Sequence, residues 1–130
     1  MAVDVIDVLL ATITGMVLGA LWYSPALFGN AWLACVGKTP QTLEKSRLPI
    51  VGSVLASALQ ALAVVLLHSM ITVSSAEMAL ELGVLLAGLV IFPAMLSDNL
   101  FCGWGLKLLL IQVGYRALSV ILMSLLVFWL

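Results

Sequence analysis

Four long apolar runs, each almost free of charged residues, place the strongest constraint on how this chain folds. A helix needs roughly 20 apolar residues to cross a bilayer. The runs that meet this length are predicted as helices over residues 5–22, 48–71, 78–100 and 106–130. Because 65% of the residues are hydrophobic and only 8% are charged, the chain cannot cover a water-soluble globule with charge. The sequence therefore predicts an all-α, polytopic membrane protein that forms one transmembrane domain.

The composition also argues against several functions. The 5 Lys and Arg residues form no basic cluster, so nucleic-acid binding is not expected. Cys35, Cys102 and His68 are far apart, and no CxxC, HExxH or glycine-rich phosphate loop occurs, so neither a metal site nor a cofactor is predicted. No nucleophile lies at a recognisable catalytic spacing from a base. We expect a protein that is not an enzyme and whose first partner is the lipid bilayer.

The distribution of charge predicts how the chain lies in the membrane. Three of the five basic residues fall in loop 37–47, and Lys107 adjoins loop 101–106. Loops rich in Lys and Arg stay in the cytoplasm. Since both loops lie on one side of a four-span chain, this side is predicted to be cytoplasmic, and the N- and C-termini are predicted to lie outside.

The stretch that follows the first span, Trp22-Tyr23-Ser24-Pro25, predicts a change of direction at the membrane surface. Trp and Tyr favour the interface between membrane and water. Ser24 is predicted to cap a second helix whose first residue is Pro25. The residues up to 36 are too few to cross and too apolar for water, so we expect a short interfacial helix over about 25–36. Alternatively, aromatic residues of this stretch form a clamp for a lipid headgroup or substrate; the residues of the motif are Trp22, Tyr23, Ser24, Pro25, Phe28 and Trp32.

Two motifs carry a resemblance to a known family. The first is WYSPxLFGxxW from Trp22 to Trp32, and the second runs from Leu100 through Gly103 and Lys107 to Gly114-Tyr115-Arg116. Both resemble the domain of unknown function 1761 family. The resemblance spans nearly the whole chain and implies a four-helix integral protein of the bacterial inner (cytoplasmic) membrane. It implies no activity and no catalytic residues.

Small residues recur four apart on the predicted helices, which indicates close helix packing. Helices in lipid associate through close backbone approach and polar contacts. The candidate packing positions are Ala11, Gly15, Gly19, Ser53, Ser57, Gly83, Ala87 and Gly114. These faces either pack within one four-helix bundle, or the Gly15 and Gly19 face docks a second protomer. Pro93, inside the third span, is expected to disturb the helix by leaving the carbonyl of Leu89 without its usual donor.

Arg116 lies ten residues into the fourth span, which places its Cα about 15 Å from the cytoplasmic edge. A lone Arg at this depth is unfavourable. Side chains lean toward the N-terminus of their own helix, so Arg116 and Asp98 on the preceding helix should lean toward each other. We predict an Asp98–Arg116 ion pair, formed directly or through a water or Asn99. The polar side chains predicted to lie together are Thr12, Gln60, Asp98, Asn99, Gln112 and Arg116.

This polar layer leaves two classes of function open. It either fixes the register of the bundle, or it lines a wet cavity that binds or passes a small polar solute. The small-residue faces and short loops favour a homo-oligomer or an accessory or scaffold subunit of a larger membrane complex. The alternative is a carrier or channel for a small solute or ion, with Arg116 in its polar layer.

Overall fold

The computed structural model describes residues 3–43 and 45–130, so residue 44 of the predicted cytoplasmic loop lies outside the described part. Within these ranges the chain is helical and has no strand. The helices are α1 (Val5–Trp22), α2 (Gly29–Val36), α3 (Leu48–Ile71), α4 (Ala76–Leu86), α5 (Phe92–Cys102) and α6 (Leu106–Trp129). A π-helical turn, Ala87–Ile91, joins α4 to α5. Four helices are long and apolar enough to span a membrane: Val5–Trp22, Leu48–Ile71, Ala76–Cys102 and Leu106–Trp129. The predicted fold class is confirmed, and the third span begins and ends two residues beyond the predicted bounds.

Helix α6 is the centre of the bundle. It packs against α1, α3, α4 and α5, and it also contacts the short α2. Its apolar positions form most of the core with Ala11, Ala61 and Val64 of the surrounding helices. Because it has neighbours on several sides, α6 is the most deeply buried of the four spans.

Most of the predicted small-residue positions pack inside the protomer, as the first of the two alternatives expects, whereas Ser53 is exposed. A Cβ placed on Gly15 would lie 2.7 Å from Met123 Cε, and one on Gly19 would lie 3.0 Å from the Tyr115 hydroxyl oxygen. On the other side of α6, a Cβ on Gly83 would lie 2.7 Å from the Cα of Ile121. The absence of side chains at these positions lets α1 and α4 approach α6 closely. The Gly15 and Gly19 face is therefore occupied by α6.

The third span accommodates Pro93 through the π-helical turn that precedes it. The backbone N–H of Phe92 donates to the carbonyl of Ala87, five residues earlier, instead of the usual four. A wider turn at this point fits the chemistry of proline, which has no N–H and clashes with the carbonyl four residues earlier. The disturbance expected at Pro93 thus takes the form of one π turn within a continuous helix.

The prediction that Ser24 caps a helix beginning at Pro25 is wrong. Residues 23–28 form turns, and α2 begins only at Gly29. The Ser24 hydroxyl donates to the Leu21 carbonyl at 2.7 Å, so it terminates α1 instead of starting α2. The Ser24 carbonyl then accepts the Gly29 N–H at 3.0 Å. A Cβ on Gly29 would overlap the carbonyl oxygen of Tyr23, which is why this tight turn needs glycine there.

Candidate functional site

The residues predicted to share a polar layer do not form a hydrogen-bonded network in the described part of the chain. The Thr12 hydroxyl donates to the Val8 carbonyl of its own helix at 2.7 Å. Gln60 Oε1 is buried without a hydrogen-bond partner among the described residues. Gln112 faces α2, where it lines a cavity of about 270 Å³ with Cys35 and Trp104. These side chains point into different interfaces and do not meet.

The predicted direct ion pair between Asp98 and Arg116 does not form in the described part of the chain. Asp98 is exposed, and Arg116 makes no ion pair with any described carboxylate. The neighbouring Asn99 is the buried residue of this turn of α5, and its Nδ2 donates to the Gly105 carbonyl at 3.0 Å. Successive residues of a helix are rotated by about 100° about its axis. Because Asn99 faces the core, Asp98 is turned away from it. The expectation considered the depth of Asp98 and Arg116 but not which faces of their helices they occupy.

Arg116 instead lines a cavity of about 270 Å³ at the junction of α1, α3 and α6. The lining residues are Met16, Gly19, Ala20, Tyr23, Ser53, Tyr115 and Arg116. The guanidinium carbon lies 5.1 Å from the centroid of the Tyr115 ring, within the range of a cation–π contact. Arg116 is half-buried. The cavity lining thus contains one cation and no carboxylate.

The aromatic motif after α1 builds one wall of this Arg116 cavity. The Tyr23 ring makes edge contacts with Tyr115 at 5.5 Å and with Trp32 of α2 at 5.8 Å between centroids. The Trp22 indole Nε1–H donates to the Ile111 carbonyl of α6 at 2.9 Å, and its ring fills the notch left by Gly114. These contacts hold the end of α1 against α6, and they fix Tyr23 beside Arg116.

Two hydroxyl groups of the cavity differ in their availability to a ligand. The Tyr115 hydroxyl is buried and donates to the Gly15 carbonyl at 2.8 Å, so its proton is already used. The Tyr23 hydroxyl makes no hydrogen bond to any described residue. Burial raises the pKa of Tyr23, and the positive charge of Arg116 partly opposes this rise. Tyr23 therefore keeps its proton at neutral pH and can donate it.

A second polar cluster lies toward the other end of the bundle. The Ser124 hydroxyl is fully buried and donates to the Ala79 carbonyl of α4 at 2.6 Å. His68 Nε2 of α3 lies 2.9 Å from the Ser124 oxygen. Because the hydroxyl proton points at Ala79, His68 must donate its Nε2–H. His68 also borders a larger open cavity of about 750 Å³ that includes Asp4 and Asp7.

Sequence reasoning found Arg116 and the aromatic motif but missed several of the contacts that organise them. Tyr115 entered only as part of the family motif, although it contacts α1, Tyr23 and Arg116. Ser119 and Ser124, both fully buried on α6, were not considered. Their spacing from Gly114 and Tyr115 could have indicated that they lie on the packed face of α6, because small polar residues in a membrane helix favour that face.

The lining of the Arg116 cavity supplies hydrogen-bond donors. Among residues 3–43 and 45–130, no group of three or more His, Cys, Asp and Glu side chains could hold a metal ion. Cys35 and Cys102 are both free thiols. An Arg guanidinium with five N–H donors, beside an uncommitted Tyr hydroxyl, matches the oxygen atoms of a phosphate or carboxylate.

Comparison with known proteins places the chain in a family. No curated protein and no solved structure matches it. The family described as protein of unknown function (DUF1761) matches residues 6–128. This range includes the WYSP motif, Arg116 and all four spans except the first residue of the first and the last residue of the fourth. The chain therefore belongs to the DUF1761 family.

Proposed function

We propose that this membrane protein binds an anionic group, a phosphate or carboxylate, in the Arg116 cavity. The observation that carries the proposal is a guanidinium within a membrane-embedded cavity whose lining contains no carboxylate. A cation at such a site is unfavourable unless water, a partner or a ligand neutralises it. An anionic ligand would supply the charge that Asp98 does not.

The geometry around the guanidinium supports binding. Arg116 stacks near Tyr115, which limits the motion of its long side chain. Tyr23 adds one hydroxyl donor that no described residue uses. A hydrogen bond to a charged group contributes about 1.5–3 kcal/mol, so two such donors can hold one anionic group without a metal ion.

The proposal is tested by the melting temperature of the purified protein in neutral detergent. Probes are inorganic phosphate and soluble dihexanoylphosphatidic acid, each compared with sodium chloride at equal ionic strength. We expect at least one probe to raise the melting temperature of the wild-type protein and of Lys107→Gln but not of Arg116→Gln. Lys107 is the matched control because it is an exposed cation of the same helix, outside the cavity. If neither probe stabilises the protein, or if Arg116→Gln responds equally, the proposal fails.

Transport by the same site has less support than binding. A carrier or channel needs a polar path from the Arg116 cavity to the opposite end of the bundle. Between this cavity and the His68–Ser124 cluster lies a closed core of buried residues, which includes Ala11, Ala61 and Met123 and two buried serines, Ser57 and Ser119. A carrier would have to open this core, so solute flux in liposomes that disappears in Arg116→Gln would favour transport.

Self-association or an accessory role in a larger complex is a second proposal. It is supported by the outward face of α4 and the π turn, where a Cβ on Gly88 would meet no atom within 4 Å, unlike one on Gly83. The neighbours of Gly88 on this face include apolar Val84 and Leu85 and, one turn further, the charged Glu81. A second copy could approach closely here through a twofold contact. Native mass spectrometry in mild detergent tests this: a dimer that Gly88→Leu converts to monomer supports self-association, whereas a monomer at all concentrations contradicts it.

That the chain is not an enzyme stays a prediction.

A further inference from the structure

The Arg116 cavity opens sideways, toward the lipid. Ala20 of α1 and Ser53 of α3 both line the cavity and are exposed on the surface of the bundle. The exposed residues that flank them along the two helices are apolar: Val17, Leu21, Ile50 and Val54. In a membrane, this α1–α3 seam faces acyl chains and not water. A ligand can therefore enter the cavity from the bilayer itself.

The cavity begins at the end of the bundle where α1 terminates and extends inward from there. Tyr23 caps the end of α1, and Met16 lies six residues before Trp22, about 9 Å further into the membrane at about 1.5 Å per residue. Ser53 lies five residues after the first residue of α3, about 7.5 Å from the same surface. The Arg116 side chain lines this cavity and so extends toward the same end of the bundle. The cation thus faces a cavity that a lipid phosphate can enter from this end of the bundle.

We infer that the ligand is an anionic membrane lipid, whose phosphate occupies the Arg116 cavity and whose acyl chains lie along the α1–α3 seam. The inference rests on the proposed function and narrows it to one source of the anionic group. The cavity supplies donors to a phosphate through Arg116 and Tyr23. It offers no carboxylate to the ammonium group of a zwitterionic lipid. The exposed apolar residues beside the seam give the acyl chains a surface that a free ion would not use.

The test is native mass spectrometry of the full chain released from nanodiscs that contain equal amounts of phosphatidylglycerol and phosphatidylcholine with identical chains. We expect wild-type protein to retain phosphatidylglycerol roughly tenfold more than phosphatidylcholine, because the Arg116 guanidinium repels the choline ammonium, which no carboxylate of the lining neutralises. In Arg116→Gln this ratio should fall to about one, whereas Lys107→Gln should keep it. Tyr23→Phe should lower the retention of both lipids and leave the ratio unchanged, because its hydroxyl donates to a phosphate that both carry.

Seam and phosphate experiments separate this inference from the proposed function. Ala20→Leu places a larger side chain at the cavity mouth and should reduce retained phosphatidylglycerol in variants that remain folded. A preference that persists in Arg116→Gln would reflect general lipid attraction and would overturn the inference. Stabilisation by inorganic phosphate that depends on Arg116, without any phosphatidylglycerol preference, would overturn the lipid but leave the anion site. Failure of both probes would overturn both.

Discussion

Helix α6 carries a polar group toward each end of its membrane segment, and the bundle treats the two in opposite ways. Near the C-terminal end, the buried Ser124 hydroxyl accepts from His68 and donates to the Ala79 carbonyl, so it has a protein partner both as donor and as acceptor. Nearer the N-terminal end, Arg116 has only the face of Tyr115 and a cavity. The first cluster ties α3, α4 and α6 together. The second leaves donors free for a ligand.

The difference shows how a structural polar residue can be distinguished from a candidate binding residue in a membrane helix. Satisfied polar atoms stabilise helix contacts, and the gain per hydrogen bond in membrane proteins is modest. Uncommitted donors beside a cavity contribute little to the fold and retain their capacity to bind. Substitutions at closely packed, fully partnered positions should therefore lower stability more than substitutions at open positions.

The largest effect is expected from Gly83→Ala, in the closely packed interface between α4 and α6. The new Cβ would lie 2.7 Å from the backbone Cα of Ile121, which cannot move without shifting α6. Overpacking of this kind costs typically about 1–3 kcal/mol. Gly88→Ala, in the same span but open to the surroundings, is the control and should leave stability unchanged or slightly higher. Reversible unfolding in mixed micelles measures both, and equal losses would contradict the packing.

Ser124→Ala should have the next largest effect. The substitution removes a donor to Ala79 and an acceptor for His68, so two polar groups lose their partner. We expect a loss of about 1 kcal/mol. Ser69→Ala is matched to it, because the Ser69 hydroxyl is exposed and donates only to the Leu66 carbonyl of its own helix. If the two variants unfold alike, the His68–Ser124–Ala79 cluster does not tie the helices together.

Much of this fold could be predicted from the sequence, because the helices follow from long apolar runs that need no knowledge of their neighbours. The bounds of α1 and α3 agree with the predicted spans, and the small-residue faces identified Gly15, Gly83 and Gly114 as close contacts. The spacing of small residues is a local feature of one helix, and it indicates where a neighbouring helix can approach closely.

The candidate site was harder to predict, because it depends on how each helix is rotated about its axis. Asp98 and Arg116 were paired on depth, but the hydrogen bond of Asn99 to Gly105 sets the face of α5 that turns inward. Ser24 followed by Pro25 gives a strong capping signal, yet the tight turn at Gly29 delays α2 by four residues. The contact of Tyr115 with Gly15 joins residues 100 positions apart, and no local pattern specifies it.

Arg116→Leu should affect stability less than either structural variant when no ligand is present. Arg116 makes no ion pair with a described carboxylate, so its removal leaves no buried charge without a partner. We expect no loss beyond about 0.5 kcal/mol, and a gain in stability where no ligand neutralises the cation. Unfolding must be measured in neutral detergent after exhaustive lipid removal, with Ser124→Ala in parallel. A loss as large as that of Ser124→Ala would make Arg116 a structural residue.

The smallest effect is expected from the ionisation of Tyr23, and it appears only at high pH. Burial raises the pKa of Tyr23 in the folded state above its ordinary value near 10, although the charge of Arg116 partly offsets this. A raised pKa means that the unfolded chain loses this proton first, so the contribution of Tyr23 to stability is complete below about pH 10 and declines as pH rises further. Wild-type protein and Tyr23→Phe should therefore show the same pH dependence of stability between about pH 6 and 9 and diverge above pH 10, where only the wild type carries the ionising hydroxyl. Parallel curves up to pH 11 would mean that Tyr23 is solvated like a free tyrosine, and the wall that it forms beside Arg116 would then be open to water.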